Sequence, residues 1–194
     1  MGVRSLFNSY GRMHVRTQSR ALNNDDVKAL QHIWHEARRM RLPLNVFLSV
    51  KPENSDTMTV EALCTLFDRI KNLYGEFARR HRFKITYLWV RESLADGTRE
   101  HLHMLCHVPK PHQERFFALA NDWMPLPSEM DVRPASQVVR RMSRGKQGSA
   151  LGYLVKNMTS QAAYRRPYIW KKGGPIMGHR WGCSRNLKAR LAVL

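Results

Sequence analysis

The spacing of hydrophobic residues predicts two helices on either side of a short buried strand in the first half of the chain. From Asn24 onward, apolar residues recur at helical spacing behind an Asn/Asp N-cap signal, and Pro43 lies beyond the end of this helix. The stretch LNVFLSVKP has the apolar run of a largely buried strand that ends at Pro52. From Val60 to about Arg80, the apolar positions fall on one helical stripe, and the basic residues at its end suit a helix C-terminus.

The middle of the chain has the pattern of a β-hairpin. FKITYLWVRE is rich in β-branched and aromatic residues, LADGT contains a hairpin turn signal, and REHLHMLCHVP alternates in polarity. We place Asp96 and Gly97 at the centre of a type I′ turn, which puts Glu92 directly opposite His101. Directly opposed residues share a face, with Cβ atoms about 4.5 to 5.5 Å apart, and His103 lies two residues further along that face.

One face of this hairpin therefore carries a carboxylate and two imidazoles, a donor set that suits Mg²⁺, Mn²⁺ or Zn²⁺. In an isolated strand, His-x-His also occurs as an ordinary structural or surface feature. The predicted register favours a metal site made of Glu92, His101 and His103. His107 has the same parity but lies two pairs beyond His103, so we expect it to be a hydrogen-bonded bystander.

A third helix is predicted from about residue 111 to 123, an edge strand in DVRPASQV, and a fourth helix from about residue 148 to 165. The order αβαββαβα predicts an α+β fold, with a ferredoxin-like antiparallel sheet flanked by helices.

The fourth predicted helix has an apolar stripe from Leu151 to Ala162 and a polar face that carries Tyr153, Lys156, Asn157 and Ser160. A tyrosine one turn before a lysine suits chemistry on a phosphodiester, because an ammonium favours the phenolate and neutralises charge on the phosphate. An ordinary amphipathic helix with an exposed tyrosine and lysine would give the same pattern.

The charge of the chain predicts a polyanionic partner. Lysine and arginine number 33 against 15 acids, a net charge of +18, and no acid follows Asp131, whereas residues 133–190 hold fourteen basic residues. Nucleic acid is the leading candidate, and its binding should weaken steeply with salt.

The length and hydrophobic content suit one domain. We divide the chain into a basic N-terminal arm (1–23), a core domain (24–166) and a basic C-terminal segment (167–194) packed on the same domain. The acid-free arm has the composition of an organelle transit peptide, but we interpret it as a flexible basic arm. Three scattered cysteines fit a reducing cytoplasm. No apolar run approaches the roughly 18 residues that span a bilayer, so no membrane partner is expected.

Three stretches in this order resemble motifs of the HUH endonuclease superfamily, specifically the rolling-circle replication initiators (Rep proteins) with a single nucleophilic tyrosine. NVFLSVKP is similar to the first strand motif, HLHMLCHVP to the His-hydrophobic-His motif, and GYLVKN to the Tyr-x-x-Lys motif. The resemblance spans about residues 44–160, and GHRWGCSRNL resembles the closing segment of bacterial and phage members. Ser49 stands where the family more often has threonine, and we assign it no role.

The resemblance implies the HUH endonuclease fold, with Mg²⁺ or Mn²⁺ held by Glu92, His101 and His103, Tyr153 as nucleophile and Lys156 as its assisting cation. It implies an enzyme that nicks single-stranded DNA at a plasmid or phage origin, or at an origin hairpin, through a covalent 5′-phosphotyrosine link and then rejoins strands. Such an enzyme would work in the bacterial cytoplasm. No Gly-x-x-x-x-Gly-Lys-Ser/Thr motif occurs, so unwinding would need a host helicase and the host replication machinery.

Basic residues before the tyrosine helix are expected to hold the DNA backbone: Arg140, Arg141, Arg144 and Lys146. Trp170 or Trp181 would stack a base. Tyr168 also begins a Tyr-x-x-Lys match, and it ranks below Tyr153 because its neighbours predict a loop.

Two alternatives remain. A conjugative relaxase or a tyrosine transposase would use the same chemistry, but relaxases usually cluster more histidines, and small insertion-sequence transposases usually carry glutamine in place of the lysine. A non-catalytic basic RNA- or DNA-binding domain would explain the charge and the sheet, and would leave the histidine, glutamate, tyrosine and lysine pattern as a coincidence.

Overall fold

The structure is a computed structural model that describes residues 18–19, 21–138, 149–163 and 171–191. Its strands and α-helices are, in chain order, β1 (Gln18–Ser19), α1 (Asn24–Arg39), β2 (Val46–Val50), α2 (Val60–Arg80), β3 (Tyr87–Glu92), β4 (His101–Cys106), α3 (Gln113–Asn121), β5 (Met130–Pro134), α4 (Ala150–Leu154), α5 (Ser160–Ala163), β6 (Ile176–Met177), β7 (Trp181–Cys183) and α6 (Arg185–Leu191). Short 3₁₀ turns cover Lys110–His112, Pro127–Glu129 and Ala135–Gln137.

Five strands form one antiparallel sheet in the order β5-β2-β4-β3-β7, and β1 pairs with β6 in a separate two-stranded sheet. Helices flank the larger sheet, so the predicted α+β class with an antiparallel sheet is confirmed. Among the described residues, no helix is long and apolar enough to cross a membrane.

The first helix begins at the predicted Asn/Asp cap, and the second begins at a threonine cap that was not predicted. Asn23 and Asp26 form a reciprocal capping box at the start of α1, and the Thr59 side chain accepts the Ala62 N–H at the start of α2. Strand β5 lies at the edge of the sheet, as the pattern predicted.

Successive side chains of the central strands pack alternately in two hydrophobic cores on opposite faces of the sheet. Leu48 and Met104 pack in the core that contains residues of α2 and α3, whereas Phe47, Val90 and Leu105 pack in the core that contains residues of α1, α4 and α6. Because side chains alternate along a strand, every second residue from Val90 or Leu105 faces the α1, α4 and α6 side. The predicted metal ligands have that parity.

The turn between β3 and β4 differs from the prediction. The Gly97 N–H donates to the Leu94 carbonyl at 2.8 Å, and the Leu94 N–H donates to the Thr98 carbonyl at 2.8 Å. Ala95 and Asp96 therefore occupy the middle of the turn, and Gly97 follows with φ +92°, a conformation that glycine adopts without steric cost. The predicted type I′ turn centred on Asp96 and Gly97 is wrong.

The predicted register nevertheless holds, because the chain leading into the second strand contains two extra residues, Gly97 and Arg99, which together make up the two positions lost by the displaced turn. Arg99 has φ +53°, and its N–H donates to Asp56 Oδ1 at 2.5 Å. Gly97 and Arg99 together restore the pairing of Glu92 with His101, so the predicted juxtaposition of Glu92 and His101 is confirmed.

The fourth predicted helix is interrupted, because α4 ends at Leu154 and α5 begins at Ser160. Between them the backbone bonds to the N-terminal part of the chain: the Leu22 N–H donates to the Asn157 carbonyl at 2.9 Å, and the Thr159 N–H donates to the Leu22 carbonyl at 2.8 Å. The Thr159 side chain then caps α5. The prediction of one continuous helix is wrong, since these bonds replace the helical ones.

The apolar stripe of this segment is buried as predicted, with the residues Leu151, Leu154, Val155, Met158 and Ala162. The predicted polar face is not a common exposed surface. Ser160 is exposed, but Lys156 and Asn157 are only 5% and 3% exposed.

Both ends of the described chain are integral to the fold. Leu22 is fully buried in the core on the α1 side, and β7 extends the large sheet beside β3. The buried Arg180 guanidinium donates to the carbonyls of Ser19 and Gly174, each at 2.7 Å. Residues 18–19 and 21–22 of the predicted arm, and residues 171–191 of the predicted C-terminal segment, therefore pack with the central sheet.

Candidate metal and tyrosine site

The ends of β3 and β4 bring three metal-ligand side chains together. Glu92 Oε2 lies 3.3 Å from His101 Nε2 and 3.3 Å from His103 Nε2. One donor atom from each residue lies within 4.8 Å of the others. The three predicted ligands thus form one compact group, with Glu92 and His103 almost fully buried and His101 at the rim.

The turn fixes the orientation of His101. Its Nδ1 lies 2.8 Å from the Arg99 carbonyl oxygen, and a carbonyl can only accept, so Nδ1 carries the proton. The other ring nitrogen, Nε2, then faces Glu92 Oε2. A hydrogen bond on the far ring nitrogen is the usual way in which proteins orient a histidine metal ligand, and the bulge at Arg99 supplies it here.

His103 is held as a neutral imidazole. Burial lowers its pKa to about 3, against the opposing influence of Glu92. A neutral imidazole is the form that binds a metal. His103 lies directly opposite Ser49 of β2, a residue to which we assigned no role from the sequence. The buried Ser49 hydroxyl has no hydrogen-bond partner among the described residues.

Glu92 is a buried carboxylate. Burial raises its pKa, but His103, His101 and Lys156 outweigh that influence and hold the pKa well below the ordinary value of 4.5. Because His103 is neutral near neutral pH, Lys156 supplies the lasting positive charge. Glu92 Oε1 is buried without a hydrogen-bond partner in the described part of the chain, so the carboxylate is incompletely satisfied.

Lys156 lies at the centre of this group. Its Nζ is 2.5 Å from Glu92 Oε2, 3.3 Å from His103 Nε2 and 3.6 Å from the centroid of the Tyr153 ring. The Lys156 backbone lies in the turn after α4, where its carbonyl accepts the Lys171 N–H at 2.8 Å. The helix break thus places the ammonium inside the site, and not on the predicted exposed face.

Tyr153 lies beside His103, with ring centroids 5.0 Å apart, and it is partly exposed. Burial raises the pKa of its phenol, as does Glu92, whereas Lys51, Lys171 and Arg133 lower it. The phenol is therefore protonated at neutral pH.

These three cations form a basic rim around Tyr153, and "basic rim" below means Lys51, Arg133 and Lys171. The basic rim was not predicted from the sequence. Its members come from the end of β2, from β5 and from the segment before β6, and no local pattern connects such distant positions.

The remaining predicted residues do not join the site. Arg140, Arg141, Arg144 and Lys146, together with Tyr168 and Trp170, lie outside the described residues. His107 takes no part in the ligand group, and its Nδ1 lies 2.9 Å from the Pro43 carbonyl oxygen. Trp181 packs on the α1 core and donates its indole N–H to Asp26 Oδ1 at 2.7 Å, and its expected role in base stacking stays a prediction.

No protein-family model, curated protein or solved structure matches the chain. The chemistry of the donor set is the remaining guide to the ligand. A carboxylate and two neutral imidazoles are donors to a divalent cation, and the partnerless Glu92 Oε1 fits such an ion.

Proposed function

We propose that this protein is a metal-dependent endonuclease and strand transferase for single-stranded DNA, of the single-tyrosine HUH type that initiates rolling-circle replication. The observation that carries the proposal is the convergence of Tyr153 and Lys156 on the group formed by Glu92, His101 and His103. Tyr153 and Lys156 lie about fifty residues beyond the hairpin that carries Glu92, His101 and His103. A non-catalytic domain would need none of these contacts.

The fold supports the same proposal. The succession β2-α2-β3-β4-α3-β5, with β4 between β2 and β3, is the split βαβ arrangement of a ferredoxin-like sheet. The HUH endonuclease fold is the finer assignment that this proposal adds.

Glu92, His101 and His103 would hold Mg²⁺ or Mn²⁺. When bound, the ion would act as a Lewis acid and template for the scissile phosphate. The ligands are ready for it, because His103 is neutral, His101 is oriented by the Arg99 carbonyl and Glu92 is ionised.

Tyr153 would be the nucleophile. Loss of its phenolic proton is favoured by the Lys156 ammonium and by the basic rim, and these cations also neutralise charge on the phosphate. The phenolate oxygen bonds to phosphorus as the bond to the 3′-oxygen breaks, and the departing 3′-oxygen takes up a proton that balances the one the phenol lost, which leaves a 5′-phosphotyrosine and a free 3′-hydroxyl. Attack by that hydroxyl reverses the step and rejoins DNA without ATP, because the phosphodiester bond is conserved in the adduct.

The net charge of +18 supports a nucleic-acid substrate. Under this proposal the protein acts in the bacterial cytoplasm on the origin of a plasmid or phage, and a host helicase and replication machinery extend the free 3′ end.

Adduct formation tests the proposal. Single-stranded oligonucleotides that tile both strands of the replicon encoding the chain are incubated with the protein and Mn²⁺, and SDS-resistant protein–DNA adducts are detected by gel mobility. We expect an adduct on one strand only, abolished by chelator and by Tyr153→Phe. Tyr87→Phe is the matched control and should leave the adduct intact. Tyr87 is a partly exposed tyrosine at the start of β3, and it packs in the core on the opposite face of the sheet from Tyr153.

An adduct that persists in Tyr153→Phe and disappears in Tyr168→Phe would move the nucleophile to Tyr168. Chelator-resistant DNA binding without an adduct on any strand would replace this proposal with the non-catalytic nucleic-acid-binding domain.

A further inference from the structure

We propose that Lys156 is a built-in competitor of the metal: in the metal-free protein its ammonium fills the position between Glu92 and His103, and metal binding displaces it toward Tyr153. This inference rests on the proposed function, because it takes these residues to be metal ligands.

The contact distances place the ammonium where an ion would bind. Lys156 Nζ lies 2.5 Å from Glu92 Oε2 and 3.3 Å from His103 Nε2, and the same Glu92 oxygen faces His101 Nε2 at 3.3 Å. Divalent ions bind oxygen and nitrogen donors at about 2.0 to 2.6 Å. An ammonium and a divalent ion cannot share this space, because they would overlap and repel one another.

Because the site is buried, either the Lys156 ammonium or the metal ion must neutralise Glu92. The Glu92 side chain is 1% exposed and that of Lys156 is 7% exposed, so water cannot neutralise the carboxylate if the lysine leaves. A buried charge without a partner is strongly unfavourable. The site therefore needs one cation at all times, and Lys156 supplies it when no metal is bound.

The Tyr153 ring is close enough to receive the displaced ammonium. Lys156 Nζ already lies 3.6 Å from the centroid of the Tyr153 ring, a distance typical of a cation–π contact. The Lys156 backbone is anchored through its carbonyl to the Lys171 N–H, so the displaced side chain would move while the helix end stays in place. Metal binding would thus release a positive charge to the nucleophile, and would couple occupancy of the metal site to activation of Tyr153.

Metal affinity tests the competition. Calorimetric titration with Mn²⁺ should show that Lys156→Met and Lys156→Gln bind at least about tenfold more tightly than wild type, a change of about 1.4 kcal/mol. One control variant should retain wild-type affinity: Lys71→Met removes a lysine that pairs with Asp68 and lies over Trp89.

Thermal stability gives a readout that does not need activity. In chelator, Lys156→Met should melt on the order of 10 °C below wild type, because Glu92 loses its cation, and Mn²⁺ should remove most of this difference. Equal Mn²⁺ affinity in wild type and both Lys156 variants would overturn the inference and leave the proposed function standing. Absence of binding to all of them would overturn both. Binding to the variants alone would support the competition and overturn the metal dependence of the proposed function.

The wild-type protein provides a test that does not depend on how the variants fold. In protein labelled with ¹⁵N-lysine, the buried Lys156 Nζ signal should shift as Mg²⁺ is added, in step with the ring signals of His103. A Lys156 signal that stays constant while the histidine signals report binding would overturn the inference.

Discussion

Replacing Glu92 with glutamine tests whether a buried ion pair stabilises the metal-free site. The substitution keeps the shape of the side chain and removes the charge that faces Lys156 Nζ at 2.5 Å. Both side chains are nearly fully buried, so the lysine would remain in the interior without a carboxylate. Breaking a buried pair in this way costs about 3 to 5 kcal/mol, which corresponds to a fall in Tm of about 10 °C for a chain of this size.

A double-mutant cycle isolates this pair. Urea unfolding in chelator would be measured for wild type, Glu92→Gln, Lys156→Met and the double variant, and we expect a coupling free energy of about 3 kcal/mol, because the double variant leaves neither charge alone. The cycle for Asp68→Asn and Lys71→Met is the control. Asp68 is 54% exposed, so that coupling should stay below about 1 kcal/mol. If the Glu92 and Lys156 effects add within about 0.5 kcal/mol, the two side chains do not form a stabilising buried pair.

The stabilisation should also depend on pH with a defined sign. Burial raises the pKa of Glu92, but His103, His101 and Lys156 hold it well below 4.5 in the folded protein. The unfolded state therefore takes up the proton first as the pH falls. The stability difference between wild type and Glu92→Gln should be complete above the ordinary pKa of 4.5 and shrink below it. A difference that stays constant down to acid unfolding would contradict this account.

Three further predictions concern the surroundings of the site. Gly174→Ala should destabilise the protein by about 2 kcal/mol in urea unfolding, because a β-carbon there would overlap a backbone carbonyl, whereas Gly152→Ala, which meets only an ordinary contact, should be neutral or slightly stabilising. Ultraviolet titration of the metal-free protein should show that Tyr153→Phe removes a tyrosine that ionises above pH 10, because burial and Glu92 raise that pKa; loss of a titration below pH 10 would be contrary evidence. Arg133→Ala and Lys171→Ala should each reduce the slope of log affinity for single-stranded DNA against log salt by about 0.7, and an unchanged slope would remove these residues from the DNA path.

The ligand hairpin could be predicted because its determinants are local. Alternation along β4 and the Asp-Gly signal place Glu92 opposite His101, and the structure has this pairing. The turn itself was predicted wrongly by one residue. One of the two compensating residues is Arg99, with φ +53°, and a pattern of residue types does not predict positive φ at an arginine, because such a conformation is uncommon outside glycine, asparagine and aspartate. The error left the site prediction unaffected, since the turn and the two extra residues offset one another.

The position of Lys156 could not be predicted, because it depends on contacts from both ends of the chain. Five successive residues, 154–158, are buried, and an amphipathic helix on a protein surface buries only one stripe. The segment can be buried on all sides because Leu22 bonds to the Asn157 carbonyl and the Lys171 N–H bonds to the Lys156 carbonyl. Periodicity identified the lysine and the tyrosine, and long-range backbone bonds turned the lysine inward.

This dependence has a consequence for how the site is assembled. Glu92 and the histidines belong to the centre of the sheet, whereas the lysine that neutralises Glu92 is held by Leu22, which precedes α1, and by the segment around Lys171. The same two parts of the chain are joined by Arg180, which donates to the carbonyls of Ser19 and Gly174. A lysine on a continuous helix would have been free to extend into water and would have left the buried Glu92 without a cation. By breaking the helix, Leu22 and the segment around Lys171 place the ammonium beside the carboxylate, so neutralisation of Glu92 depends on both segments docking against the rest of the fold.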